Sequence, residues 1–352
     1  MPADATAGLR PIAVDVFECR GTPHEVGRQM AASFLKTARG RAFARRRARR
    51  PFAFSLANAR EALGKYAPNI WQELEGLAAG LAVPIERVVG EYSNGRLRFP
   101  RRGCSAAITA QVYVRNYDYA LRRYDRTLVA MQAKGCYAHI GFAERFTGRL
   151  DGMNECGLCV GLHYVNNRTW QPGLVCMLIV RMVLDQCATT AEAIALLRRL
   201  PHGQGYNYSL LDDSGDAAVI EAAPLAMAVR RGPWLACTNH FQATAMHHLN
   251  RRMIGRSRKR LPPIEGWAQK QSDIDQLYRS FNDRSSPAFH YFKGSGTLHT
   301  LACAPRSRTM AIGVGGDAVP LHVHVGAWSL GAPLGVTTLS GFFGATAPTG
   351  GL

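Results

Sequence analysis

Acidic residues are scarce in this 352-residue chain: 25 Asp and Glu stand against 43 Lys and Arg, a formal charge of +18 at neutral pH. Long apolar runs are missing as well. None approaches the ~18 residues that a membrane helix needs, and the longest, Leu174 to Leu184, is interrupted by Arg181 and reads as a buried helix. The first seventeen residues lack the basic start and apolar core of a secretory signal, so the expected location is the cytoplasm. A reducing compartment and an odd count of nine cysteines predict free thiols. The lone C-x-x-C pattern, Cys156 to Cys159, has Cys136 and His163 as conceivable partners but no second pair, and reads as structural thiols. No metal site and no required cofactor are expected. Internal repeats are absent, and a composition of 47% hydrophobic and 19% charged residues excludes disorder, collagen and small disulfide scaffolds.

The positive charge is the first feature present in excess, because such a field attracts phosphates, acidic lipids and anionic substrates. It concentrates in Arg39 to Arg50, on a helix expected over 24–50. No zinc finger, basic zipper or aromatic-basic RNA signature accompanies the run, which reads as a solvated helical face. A basic, non-catalytic protein that binds nucleic acid or anionic surfaces is the competing non-enzymatic reading.

The pattern along the chain is helical over 24–92, punctuated by Pro68 and Pro84, with Ile70, Leu74, Leu77, Ala78 and Leu81 at helical spacing. A Pro/Gly-marked connection, Phe99 to Cys104, leads into strands Ala106–Thr109 and Val112–Tyr119 joined by a tight turn. Arg145–Asp151 and Leu158–Val165 flank the turn-like Gly152-Met153-Asn154-Glu155. Leu174–Leu200 reads as helix broken at Cys187–Thr190, with Thr190 as the cap of the second piece. Short strands are expected over 208–211, 217–222, 227–230 and 234–238, a helix over Ile274–Asn282, and final strands over 298–303 and 309–314. The tail from Gly341 reads as loose. Strands surrounded by helical blocks imply an α+β layered protein.

Chemistry concentrates at Gly103-Cys104-Ser105-Ala106, followed by Val114-Arg115-Asn116-Tyr117-Asp118-Tyr119. Were the bond before Cys104 cut, its freed amine would stand beside its own thiol. With an α-amine titrating near ~8 and a thiol near ~8.5, one residue would hold base and nucleophile at neutral pH. Glycine before the cut tolerates strained backbone. Taken alone, Cys104 reads as an inert buried thiol; a strand-surface ion pair is a competing reading for Arg115 and Asp118, and a turn residue for Asn154. His240, His247 and His248 invite a Cys/His pair of papain type, an arrangement that chance also produces.

Gly103-Cys104 and Arg115-Asn116-Tyr117-Asp118-Tyr119 resemble the nucleophile strand and hairpin of cysteine N-terminal-nucleophile hydrolases, nearest the acyl-coenzyme A:6-aminopenicillanic acid acyltransferases, with bile-salt hydrolases as more distant relatives. Further pieces fit in order: Gly21 to Gly27 and Glu73 to Gly80 upstream, Gly152 to Leu158, Asn207 to Asp213, Gly215, Glu221, Thr238-Asn239-His240-Phe241 and Thr297 to Thr300 downstream. The resemblance implies a four-layer αββα sandwich of two antiparallel sheets. It further implies self-cleavage at Gly103/Cys104 into a helical leader, 1–103, and a catalytic unit, 104–352, that stay associated. Cys104 would be the nucleophile, Asp118 would hold the α-amine, Arg115 would favour the thiolate, and Asn154 and Asn239 would donate to the oxyanion. A further family arginine, after Ser257 in a Ser-x-x-Arg context, is unassigned, with Arg260 the candidate. The implied activity is acyl transfer from a small-molecule N-acyl amine, a linear amide, through an acyl-thioester on Cys104; the alternative enzyme takes its acyl group from a coenzyme A thioester. Neither reading involves a membrane or nucleic acid.

Overall fold

The computed structural model describes residues 8–45, 55–92, 103–167, 169–251, 254–270, 273–292 and 294–344. In chain order, β1 (Arg10–Gly21) leads into α1 (Pro23–Lys36), α2 (Ala38–Arg45), α3 (Leu56–Tyr66), α4 (Pro68–Leu81) and α5 (Ile85–Tyr92). A hairpin of β2 (Ser105–Thr109) and β3 (Tyr113–Ala120) follows, then β4 (Thr127–Ala133), β5 (His139–Glu144), β6 (Gly148–Arg149), β7 (Asp151–Asn154) and β8 (Cys159–Tyr164). Helices α6 (Cys176–Gln186) and α7 (Thr190–Arg199) precede β9 (Tyr206–Leu211), β10 (Ala217–Ala223), β11 (Ala226–Arg231) and β12 (Trp234–Cys237). The chain closes with α8 (Gly255–Gln269), α9 (Ile274–Asn282), β13 (Tyr291–Phe292), β14 (Ser295–Ala304), β15 (Thr309–Val314), β16 (Leu321–His324), α10 (Val325–Ser329) and β17 (Thr338–Phe343).

Two sheets result. The larger runs β11-β10-β9-β8-β7-β5-β4-β1-β17 and the smaller β12-β2-β3-β14-β15-β16, with β6 and β13 as short side pairs. Helices α8 and α9 cover the outer face of the smaller sheet, where Ile264, Leu277 and Phe281 pack on Ala107, Val114, Ala302 and Ala311. Helices α1, α6 and α7 lie on the larger sheet. The arrangement is the expected α+β sandwich, four layers in the order αββα. One feature departs from two antiparallel sheets: β1 pairs with β4 in parallel, from Asp15↔Thr127 to Gly21↔Ala133.

That strand also changes the reading of the first hundred residues as helical. Ile12, Val14 and Val16 are buried in strict alternation, the period-2 signature of a half-covered strand. Between β4 and β17, β1 is an interior strand of the larger sheet. The helix expected over 24–50 stops at Lys36, because the Thr37 amide and hydroxyl both turn back to the Phe34 carbonyl. Its start is set by a capping box of Thr22 and Glu25 with Pro23 in the first turn. Of the basic run, Arg46–Arg50 lie outside the described residues, as do Phe99–Arg102 of the connection and 345–352 of the tail. The described part of that tail is not loose, since Gly341–Phe343 pair with β1.

The glycines of the two upstream stretches have a packing reason. A Cβ on Gly27 of α1 would lie 2.0 Å from the Glu73 carbonyl oxygen of α4, and one on Gly76 would lie 2.0 Å from that of His24. Only hydrogen at both positions lets the helices meet backbone to backbone. From α4, Glu73 then reaches into the protein, accepting at 2.8 Å from Arg181 of α6, which also holds Asp185 at 2.7 Å. The cap of α7 is Thr189, whose hydroxyl accepts from the Glu192 amide; Thr190 instead donates to the Asp216 carbonyl. Among the described residues no helix is long and apolar enough to cross a membrane.

Candidate active site

Cys104 precedes β2, and the registers on either side of that strand assemble its surroundings. Ala106 pairs with Arg115 of β3 and with Cys237 of β12, so the end of β12 and the segment after it come alongside the cysteine. Thr238 to Ala243 is then held by two buried side chains. Asn207 donates to the Thr238 and His240 carbonyls at 3.0 Å each, while Glu221 accepts from the Gln242 and Ala243 amides and from Arg230.

Arg115 is fully buried between the sheets. Its Nη1 donates to Asp151 Oδ2, its Nη2 to the Leu162 carbonyl, and Nη2 also lies 3.5 Å from Cys104 Sγ. Burial alone would loosen its proton, but Asp151, and after it Cys104, Tyr113 and Tyr117, raise its pKa above the ordinary arginine range. Burial also pushes the Cys104 thiol up, with Arg115 pulling the other way, so the thiol form is favoured here. Asp118 is buried too, and burial raises its carboxyl from 3.8 to about 6 against the opposing pull of Arg260 and Thr297. Thr297 Oγ1 donates to Asp118 Oδ1 at 2.8 Å.

Arg115 and Asp118 therefore do not form the surface pair considered above. Three positions apart on a strand, they leave opposite faces. Each has its own partner, Asp151 for Arg115 and Arg260 for Asp118 at 3.5 Å. The structure brings Arg260, left unassigned by sequence, into the centre of the site. Its Nη1 donates to Ser105 Oγ at 2.6 Å and the Cys104 carbonyl at 3.3 Å, and its Nη2 to Asn239 Oδ1 at 2.8 Å. Gly103 lies directly beneath it, where a Cβ would stand 2.0 Å from Arg260 Nη2. Ser257, one turn earlier on α8, accepts from the Asn239 amide at 2.7 Å and locks the helix to that segment.

Asn239 itself donates from Nδ2 to the Tyr164 carbonyl at 2.8 Å, which leaves its second amide hydrogen. Asn154 is placed elsewhere. Its Nδ2 donates to the Leu184 and Cys187 carbonyls and its Oδ1 accepts from the Cys156 and Leu158 amides, so the whole amide ties a turn to α6. Cys104, Asp118 and Asn239 line one cavity of about 30 Å³, enough for a water or two. The rest of its wall is apolar or aromatic: Tyr117, Tyr119, Leu150, Leu162, Met177 and Tyr206 among others.

His240 meets Ser257 Oγ at 2.8 Å and Thr238 Oγ1 at 3.1 Å, and burial, aided by Arg258, Arg230 and Arg260, lowers its pKa to about 4. All nine cysteines are free, and His163 bonds Ser209 at 2.8 Å. No group of three metal-ligating side chains occurs among the described residues. Asp151 is the site residue that sequence reasoning passed over, although an acidic residue heading the strand before Gly152 was a visible signal. A second signal was invisible: β14 carries a bulge between Thr297 and His299, so these two residues oppose Asp118 and Tyr117 and reach opposite faces of β3.

A family model for acyl-coenzyme A:6-aminopenicillanic acid acyl-transferase matches residues 106–318. That is more than half of the chain, and the chain belongs to this family. It is an enzyme of the class that hydrolyses amide bonds or transfers acyl groups. No curated protein matches the sequence. Among solved structures it is similar to penicillin V acylase from Agrobacterium tumefaciens, at 15% identity over 63% of this chain and 86% of that one, with a TM-score of 0.42. It is also similar to a conjugated bile acid hydrolase from Clostridium perfringens, at 11% identity over 70% and 99% of the two chains and a TM-score of 0.45. The N-acylethanolamine-hydrolyzing acid amidase ortholog of Caenorhabditis elegans gives 14% identity over 58% and 93%, with a TM-score of 0.34.

Proposed function

We propose that the chain is a self-processing cysteine amidohydrolase or acyltransferase acting on linear N-acyl amines. The observation that carries this reading is Cys104 in the wall of a largely apolar cavity, its Sγ 3.5 Å from a buried Arg115, with Asn239 lining the same cavity. In processing, the Cys104 thiol attacks the Gly103 carbonyl, the peptide C–N bond breaks, and a Gly103 thioester forms as the α-amine takes the proton. Water then cleaves the thioester, leaving a Gly103 carboxylate and the free thiol. Arg260, packed on Gly103 and bonded to the Cys104 carbonyl, supports this step by holding the backbone on both sides of the junction in place.

In turnover the α-amine, held by Asp118, takes the thiol proton while Arg115 stabilises the thiolate. Attack on the substrate carbonyl builds an oxyanion to which the remaining Asn239 hydrogen donates. Collapse expels the amine with the proton from the α-ammonium, and the acyl-thioester is released to water or to another amine. Asn154 is left out of this scheme because its amide is already saturated. The aromatic and aliphatic wall favours an apolar acyl group.

The leader, 1–103, stays bound to 104–352 on this reading, since β1 is an interior strand. The test is release of free amine from a panel of N-acyl amines by wild-type and Cys104→Ala protein. Amine release that requires Cys104 supports the proposal. Turnover only of coenzyme A thioesters, read as free thiol, would replace it with the acyltransferase alternative.

A further inference from the structure

Behind Arg115, away from the cavity, runs a chain of side chains that no step above uses. Asp151 Oδ2 accepts from Arg115 Nη1 and lies 2.9 Å from His299 Nε2, and His299 Nδ1 lies 2.7 Å from the Tyr124 hydroxyl. Arg115, Asp151 and His299 are 0% exposed and Tyr124 is 3% exposed. The imidazole stacks on Phe142, with centroids 3.6 Å apart and planes 8° apart, and Tyr117 covers it at 5.1 Å. It reaches this place through the bulge in β14.

The chemistry of these groups fixes the direction of each bond. An ionised carboxylate only accepts, so His299 Nε2 carries the proton; in a neutral imidazole Nδ1 is then a lone pair, which the Tyr124 hydroxyl fills. Every donor in the chain thus points toward Asp151. Asp151 Oδ1 has no partner among the described residues, so the carboxylate is held through one oxygen. Without His299 that carboxylate would be free to turn and draw Arg115 Nη1 with it, lifting Nη2 from the sulfur.

We propose that His299, kept in its Nε2–H tautomer by Tyr124, is a positioning residue: it orients Asp151 so that Arg115 stays aimed at Cys104. The charged groups facing His299 are Asp151 and Arg115, and Tyr117 and Tyr124 are its other titratable neighbours, with Glu144 near both tyrosines. Burial, only partly opposed by Asp151, keeps His299 neutral, and burial keeps both tyrosines protonated.

This inference rests on Cys104 being the nucleophile, so its test reads the thiolate without substrate. Iodoacetamide labelling between about pH 5 and pH 10 is followed by mass spectrometry on the peptide that contains Cys104. His299→Gln offers the same donor and acceptor and keeps the labelling midpoint and kcat within about threefold of wild type. His299→Leu raises the midpoint by about one pH unit and lowers kcat about 10- to 100-fold at unchanged KM. Tyr124→Phe shifts both in the same direction by a smaller step, and decides the matter if His299→Leu does not fold. Wild-type profiles in His299→Leu and Tyr124→Phe, or a loss in His299→Gln equal to that in His299→Leu, overturn the positioning role alone. A wild-type Cys104 labelled no faster than the other cysteines overturns the nucleophile reading as well.

Discussion

Asp118 is a carboxyl group that burial, before any other influence, pushes up from 3.8 to about 6. A raised native pKa means that the folded chain binds this proton more tightly than the unfolded one. Stability therefore falls as pH rises from about 4 to about 6 and is level above that, by roughly 2 to 3 kcal/mol for a shift of this size. In a Cys104→Ala background, chosen because the proposed processing needs the thiol, Asp118→Asn should remove that slope; urea titrations at pH 4 and pH 7 that show the same change of stability with pH in both proteins would contradict it. The two asparagines separate by readout. Asn239→Ala should lower kcat by about 100- to 1000-fold, as loss of an oxyanion donor does, with substrate binding little changed. Asn154→Ala should leave kcat near normal and cost about 1 to 3 kcal/mol of stability, because the Leu184 and Cys187 carbonyls lose their donors. Turnover and denaturation midpoint measured on the same sample distinguish these outcomes.

At the scale of elements, α4 and α6 are joined by the buried Glu73–Arg181 pair. Removing Glu73 leaves the buried Arg181 with Asp185 as its carboxylate partner and two guanidinium bonds unmade, so Glu73→Ala should cost about 1 to 3 kcal/mol in chemical denaturation; an unchanged midpoint would contradict this. Elements were legible wherever local pattern and tertiary role agreed. The β2–β3 hairpin, α6, α9 and the last long strands follow their hydrophobic periodicity. Helix α8 was hidden because Pro262 and Pro263 signal a break and its first turn carries arginine, unfavourable at a helix start. That arginine-rich start also explains why Arg260 stayed unassigned: only the tie from Ser257 to the Asn239 amide shows which arginine faces the site. β1 had a readable alternation, but its parallel pairing with β4, more than a hundred residues away, has no local signature. The bulge that aims His299 likewise exists only once β14 meets β3.

For the whole molecule, residues on both sides of Gly103/Cys104 share one sheet. β1 has β4 on one side and β17 on the other, so cutting at Gly103/Cys104 should not release residues 1–103. Both pieces should elute together in native size-exclusion chromatography and part only in denaturant; separate elution in native buffer would contradict the shared sheet. The charge of +18 belongs to this scale too, and is compatible with attraction of anionic substrates without calling for nucleic acid.

The most direct measurement is the intact mass of the purified protein beside its Cys104→Ala variant. Self-processing predicts two masses for wild type, corresponding to residues 1–103 and 104–352, and a single uncut mass for the variant. A wild-type chain that remains whole while releasing amine from N-acyl substrates at full rate would contradict the central claim that Cys104 acts as an N-terminal nucleophile.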